Sequence, residues 1–183
     1  PGTQVTFHGA GTVHMYHFDG TSWVPQQVIQ TPTPAAGGNF GYATALSGDR
    51  LAVGAFWENT SLGFSTGQVH VYRETGGAWT LEQSIVAPDL QDFDQFGRSV
   101  AIDGINLVVG TMVGDGPALD SGTAYLYQHD GSSWVRVSKF WGSTTASGDQ
   151  FGVSADIRGL YVITGADFHN GSKGAAYIFG RCP

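Results

Sequence analysis

The chain has 183 residues, with 8 Lys and Arg against 15 Asp and Glu and a formal charge of −7. That balance lacks the Lys/Arg surplus that phosphate contacts demand, and no apolar run approaches the ~20 residues of a membrane span, so neither a nucleic-acid partner nor membrane insertion is expected. With 28 glycines, 13% aromatic residues and a hydrophobic fraction of 41%, the composition suits a turn-rich β core and argues against disorder.

Pro1 opens the chain in place of Met, and Cys182, the only cysteine, stands next to its last residue. A processed or cut chain is therefore expected, without an intramolecular disulfide. Gln4 to His8 has the pattern of a short strand. Gly11 to Tyr16 (GTVHMY) and Trp23 to Gln30 (WVPQQVIQ) flank a turn at Asp19-Gly20, a hairpin signal. Pro25 places the Trp strand on an exposed edge, where a missing amide is tolerated.

After a Gly/Pro-rich link, Phe40-Gly41 opens a strand of small residues. A turn at Ser47-Gly48-Asp49 leads into the continuous apolar run LAVGA, which suits a strand covered on both faces. A loop then runs to Gly67, and GQVHVY, a Gly76-Gly77 turn and a second Trp strand (WTLEQSIV) complete the unit. The same order recurs from Phe96-Gly97 and again from Phe151-Gly152, where it stops at Phe179 before any Trp strand. Trp23, Trp79 and Trp134, like the Phe-Gly pairs, are spaced by 56 and 55 residues. A period of this size marks a repeat architecture. Four antiparallel strands in about 55 residues predict one β-propeller blade. The fold class expected is all-β, with near-zero helix and three to three and a half blades in one partial propeller. Residues 1–39 end an incomplete blade, 40–95 and 96–150 are blades, and 151–183 begin an incomplete terminal one.

The Phe-Gly pair, the apolar strand ending Val53-Gly54-Ala55 and the closing GQVHVY together resemble the FG-GAP repeat family, known from integrin α-subunit propellers and many bacterial and fungal surface proteins. The resemblance covers nearly all of the chain after residue 11. It implies an extracellular or cell-surface module. The proline of the family's Gly-Ala-Pro is replaced by Phe56, Met112 and Asp167. Integrin-like members carry a calcium loop between the first two strands of a blade. Here those turns are SGDR, DGIN and RGL, too short and too poor in oxygens for a cage of 6–8 ligands. No cofactor is expected.

Candidate site residues fall in four groups. Trp57 and Phe64 lie in the first variable loop, where aromatic rings are usual binding anchors or else pack on a neighbouring blade. Asp89, Asp92 and Asp94 form the densest acidic cluster, a candidate cation site; the alternative is that Asp94 caps the turn before Phe-Gly, as Asp149 does in the third copy. Asp156 stands on an innermost strand where the other copies have Ala45 and Ala101. It is expected to line a wet channel or to pair with Arg158 or Lys173. Asp167 and His169 share the last variable loop. His14 and His70 occupy a position that holds Tyr125 and Tyr177 elsewhere, which reads as a structural slot with a polar tip. Asn59-Thr60-Ser61 and Asn170-Gly171-Ser172 fit the glycosylation pattern. With no nucleophile elbow, phosphate-binding glycine loop or paired His and Cys, the chain is expected not to be an enzyme. The function expected is a non-catalytic propeller module binding protein or glycan; the alternative is a lectin-like module with sugar pockets between blades. Expected partners are a second copy that closes the ring, so a homodimer, or the other blades of a longer parent protein.

Overall fold

The computed structural model describes residues 10–33 and 37–180; the strand pattern at Gln4–His8 and Cys182 lie outside them. The first sheet pairs β1 (Thr12–Phe18) with β2 (Trp23–Gln30). The second holds β3 (Ala43–Ser47), β4 (Arg50–Ala55), β5 (Gln68–Thr75) and β6 (Ala78–Ile85). The third holds β7 (Phe96–Asp103), β8 (Asn106–Thr111), β9 (Thr123–His129) and β10 (Trp134–Phe140). The fourth holds β11 (Ser154–Arg158), β12 (Tyr161–Ala166) and β13 (Ala175–Gly180). Every pairing is antiparallel and strands lie in chain order, the meander of a propeller blade. α1 (His169–Ser172) is a pair of linked turns, because Asn170 and Gly171 have left-handed φ values of 53° and 67°. The all-β expectation holds. Among the described residues no strand pairing joins the sheets into a closed ring.

Apolar cores lie between sheets rather than within one. Val13, Met15 and Ile29 of the first sheet pack on Leu51, Val53, Tyr72 and Trp79 of the second, and the pattern repeats at the next two seams. The Phe-Gly pair sets each seam. The Phe ring is buried against two rings of its own third strand: Phe40 on His70 and Tyr72, Phe96 on Tyr125 and Tyr127, Phe151 on Tyr177 and Phe179. Its backbone N–H crosses to the preceding sheet. Phe96 donates to Thr66 O at 2.8 Å and Phe151 to Ser121 O at 2.9 Å. The glycine that follows lets two backbones touch. A Cβ on Gly54 would lie 2.1 Å from Gly97 O, and one on Gly110 1.9 Å from Gly152 O.

The outer strands carry a device absent from the sequence reading. Each pairing of third with fourth strand has a bulge at the same place, so that Gln26, Glu82 and Val137 have no opposite residue. Pro25 sits beside the first of these, where the ladder is already interrupted. The residue after the bulge then clamps the next sheet. Gln27 accepts from Trp79 N–H at 2.8 Å and donates to Trp79 O at 2.9 Å. Gln83 does the same to Trp134 at 2.7 and 3.2 Å. Trp134 is buried, and its indole N–H donates to Glu82 at 2.9 Å while the Arg50 guanidinium lies over the ring.

The repeat in register predicts all three Trp rings buried at equivalent points. Trp79 and Trp134 are, but Trp23 is 70% exposed. The reason is positional: Trp rings pack on the preceding sheet, and no described residue supplies one for the first. At the opposite end the fourth sheet leaves Tyr161, Ile163 and Ile178 uncovered. Between the third and fourth sheets a cavity of about 160 Å³, walled by Leu126, Phe140, Val162 and Phe179, occupies the seat that Trp134 fills one seam earlier.

Two stability predictions follow from these seams. Trp79→Ala and Trp134→Ala should each cost about 3–5 kcal/mol, whereas Trp23→Ala should cost under about 1 kcal/mol, measured by urea denaturation. Gly110→Ala should cost about 2–3 kcal/mol by pushing two backbones apart. Gly104→Ala, at a φ of 58° with open space around it, should cost only about 1 kcal/mol.

Candidate functional site

The crossover links and the three variable loops share one end of the sheets, since each loop joins the second strand of its sheet to the third. The first loop is locked internally. Thr60 and Gly63 exchange backbone bonds, the Thr60 and Thr66 hydroxyls meet at 2.7 Å, and Asn59 Oδ1 accepts from Ser65 N–H at 2.8 Å. The next link holds the loop tip: Asp92 Oδ1 accepts from Phe64 N–H at 2.8 Å, and Phe93 N–H donates to Phe64 O at 2.9 Å. Both backbones are thereby fixed while their rings point out, Phe64 at 65% exposure and Phe93 at 55%. Trp57 is also exposed, its ring edge against Phe56, which with Tyr42 stacks on the Arg98 guanidinium.

Phe93 was not among the sequence candidates. Its φ of 68° is left-handed, a conformation that costs a bulky residue about 1–2 kcal/mol. The equivalent residues three before Phe40 and Phe151 are Gly37 and Gly148, with φ of 85° and 80°. The signal was present in the aligned copies, as a phenylalanine where its two counterparts are glycine.

The acidic cluster is not brought together. Asp89 is held by Lys139 at 2.9 Å, by Arg136 and by the Tyr125 hydroxyl; burial would raise its carboxyl, but the bond to Lys139 and the two cations bring it below the usual range. Asp92 serves Phe64. Asp94 accepts from Gln91 N–H at 2.8 Å, which is the turn-capping role, repeated by Asp149 on Ala146 N–H at 2.7 Å. Among the described residues no group of three or more His, Cys, Asp or Glu is placed to hold a metal ion.

The other candidates separate as well. Asp156 does not pair with Arg158 or Lys173; it is exposed on the uncovered side of the fourth sheet, accepting from Ile157 N–H. A wet channel does not form around it, because the described sheets do not close. Asp167 is exposed, and His169 turns from it to Asp149, 2.6 Å away.

The His/Tyr slot has a definite task. Its polar tip reaches the incoming crossover link ten residues after the preceding Trp. Tyr125 donates to Asp89, and the Tyr177 hydroxyl meets Thr144 at 2.9 Å. His70 is shorter and needs a bridge. Its Nε2 lies 2.9 Å from Glu58 of the variable loop, and Glu58 accepts from Thr33. Nδ1 of His70 meets Ser84 Oγ at 2.8 Å.

Asp94 and Asp149 share one capping role but are tuned oppositely. Burial pushes Asp94 up to about 6, with Asp115 and Asp120 adding to it against the Gln91 N–H and Lys139. The Ala146 N–H and His169 hold Asp149 below the usual range. The folded-state value of Asp94 lies above its unfolded one, so its contribution to stability is present below pH 3.8 and lost as pH rises through about 6. Asp94→Asn should flatten that stretch of the stability–pH curve and raise stability at neutral pH, as read by thermal melts across the range.

A sequence profile described as the FG-GAP repeat matches residues 23–72, 79–127 and 134–179. No curated protein matches the chain. FG-GAP repeats are typical of extracellular and surface proteins, where they serve as binding modules. No helix among the described residues is long and apolar enough to cross a membrane.

Proposed function

The chain belongs to the FG-GAP repeat family, and from that premise we propose that it is a non-catalytic binding module of the cell exterior whose variable-loop end grips a protein or glycan ligand. One observation carries this reading: Phe93 is held in a left-handed backbone, where the sister copies have glycine, and its ring stands exposed on a backbone tied to that of the exposed Phe64. Strain of this kind persists where the surroundings impose it, and it clusters at ligand-binding positions. Two fixed, solvent-facing rings are low-entropy anchors, because little freedom remains to be lost on binding. Trp57 is a further exposed ring of the first loop, and Asp115, Asp120 and Asp167 lie in the other two variable loops at the same end, with carboxylates able to accept hydrogen bonds.

Two other readings are weaker. The order Ser84, His70, Glu58 is that of a nucleophilic relay. Its counterparts, Tyr125 with Asp89 and Tyr177 with Thr144, tie the third strand to the crossover link without a nucleophile, and that shared structural task accounts for all three. A lectin-like site between blades has the cavity beneath β13 as its candidate. Its walls match a tryptophan seat rather than a sugar cup, with Asn106 and Ser138 as its polar side chains.

Phe93→Gly tests the proposal because strain and recognition move apart. The variant should melt at the same or a higher temperature, by about 1 kcal/mol at most, yet lose binding. Binding is read on glycan and extracellular-protein arrays, with Phe64→Ser as a second variant. A stable Phe93→Gly protein that binds its array ligand as wild type does would overturn the assignment.

A further inference from the structure

We propose that the uncovered sides of the first and fourth sheets are the two halves of one more blade-to-blade seam, and that each is covered by a second copy of this chain, joined head to tail. The inner seams supply the template. At each of the first two, a third strand offers two aliphatic side chains to a trio on the next sheet. Val13 and Met15 pack with Tyr72 and Trp79, on the face that also carries buried His70; Val69 and Val71 pack with Tyr125, Tyr127 and Trp134. The chain repeats both halves once more without a partner. Ala176 and Ile178 of β13 stand where Val69 and Val71 stand in β5, and Ile178 is 70% exposed. His14, Tyr16 and Trp23 stand where His70, Tyr72 and Trp79 stand, and Tyr16 and Trp23 are exposed.

The inner edge fits the same pairing. Asp156 replaces the alanines that pack under the next blade, and burying its carboxylate without a counter-charge costs several kcal/mol. The first sheet has only its third- and fourth-position strands among the described residues. The described strands of the first sheet, laid on the fourth as at the inner seams, cover Ile178 and lie away from the Asp156 strand. The two surfaces differ, so the contact is heterologous: it grows by addition or closes as a ring, and one copy's tail takes another's head.

Two single-end variants test this by sedimentation and light scattering. Trp23→Ser spoils the head and Ile178→Glu the tail; both positions are exposed, so a cooperative melt near that of wild type is expected. Should Trp23→Ser lose that melt, Val28→Lys, on the same exposed side, replaces it. Wild type should gain mass with concentration above 19.3 kDa. Each variant alone should associate at least about tenfold more weakly. The equimolar mixture holds one intact head and one intact tail, and it should form a two-chain species that stops growing. The proposal is overturned if wild type keeps the single-chain mass at every concentration, if either variant alone associates as wild type does, or if the folded variants do not combine.

Discussion

The structure depends on a backbone contact that only glycine permits. Where a Phe-Gly pair enters a new sheet, its carbonyl comes against the inner-strand glycine of the sheet before, leaving no room for a methyl group at Gly54 or Gly110. That approach lets the Phe amide reach the preceding sheet and lets the aliphatic faces of neighbouring sheets meet without a gap. Charged residues are only 13% of the chain, and the four Arg and Lys side chains found in ion pairs among the described residues bind carboxylates on or between sheets. Seams rather than surface ion pairs hold the repeats in line, and this matches the nearest-neighbour stability of repeat proteins.

Much of this was legible because the markers are periodic. Phe-Gly, the mid-unit glycine and the Trp fall at one spacing, and hydrophobic runs too short for helices separate them; the thirteen strands of the described residues appear where those signals lie. What escaped the sequence depends on a second sheet. Trp23 has the same local sequence signature as Trp79, and only the missing neighbour makes it exposed. The Gln27 and Gln83 clamps were hidden because glutamine on a polar edge strand looks like solvated surface. The acidic cluster read as one site because its members are close in sequence, but a link running between two sheets turns Asp89, Asp92 and Asp94 toward three different partners. Burial with the nearby Asp115 and Asp120 raises Asp94, whereas its counterpart Asp149 is lowered by the Ala146 N–H and by a histidine from a loop twenty residues away.

The candidate site shows how a rigid repeat carries variation. Loop and link are cross-tied by Asp92 and by the Phe93 amide, so neither segment needs sheet hydrogen bonds to hold its shape. The burden of recognition then falls on side chains whose removal leaves the seams untouched. Loops set on a stable scaffold can change their contacts without endangering the fold.

The bulges on the outer strands have a consequence for how the copies keep their order. Three near-identical units in one chain invite mispairing, in which a sheet docks on the wrong neighbour during folding. The bulged residue differs in kind from copy to copy. Gln26 reaches the backbone of Gly77, Glu82 gathers Arg50 and the Trp134 indole, and Val137 offers no polar group at all. Seams alike in shape thus carry different chemical labels. A swapped pair would cost the Glu82 carboxylate the Trp134 indole and the His129 ring of its proper neighbour, and the correct sequence of sheets is written in the residue each strand leaves unpaired.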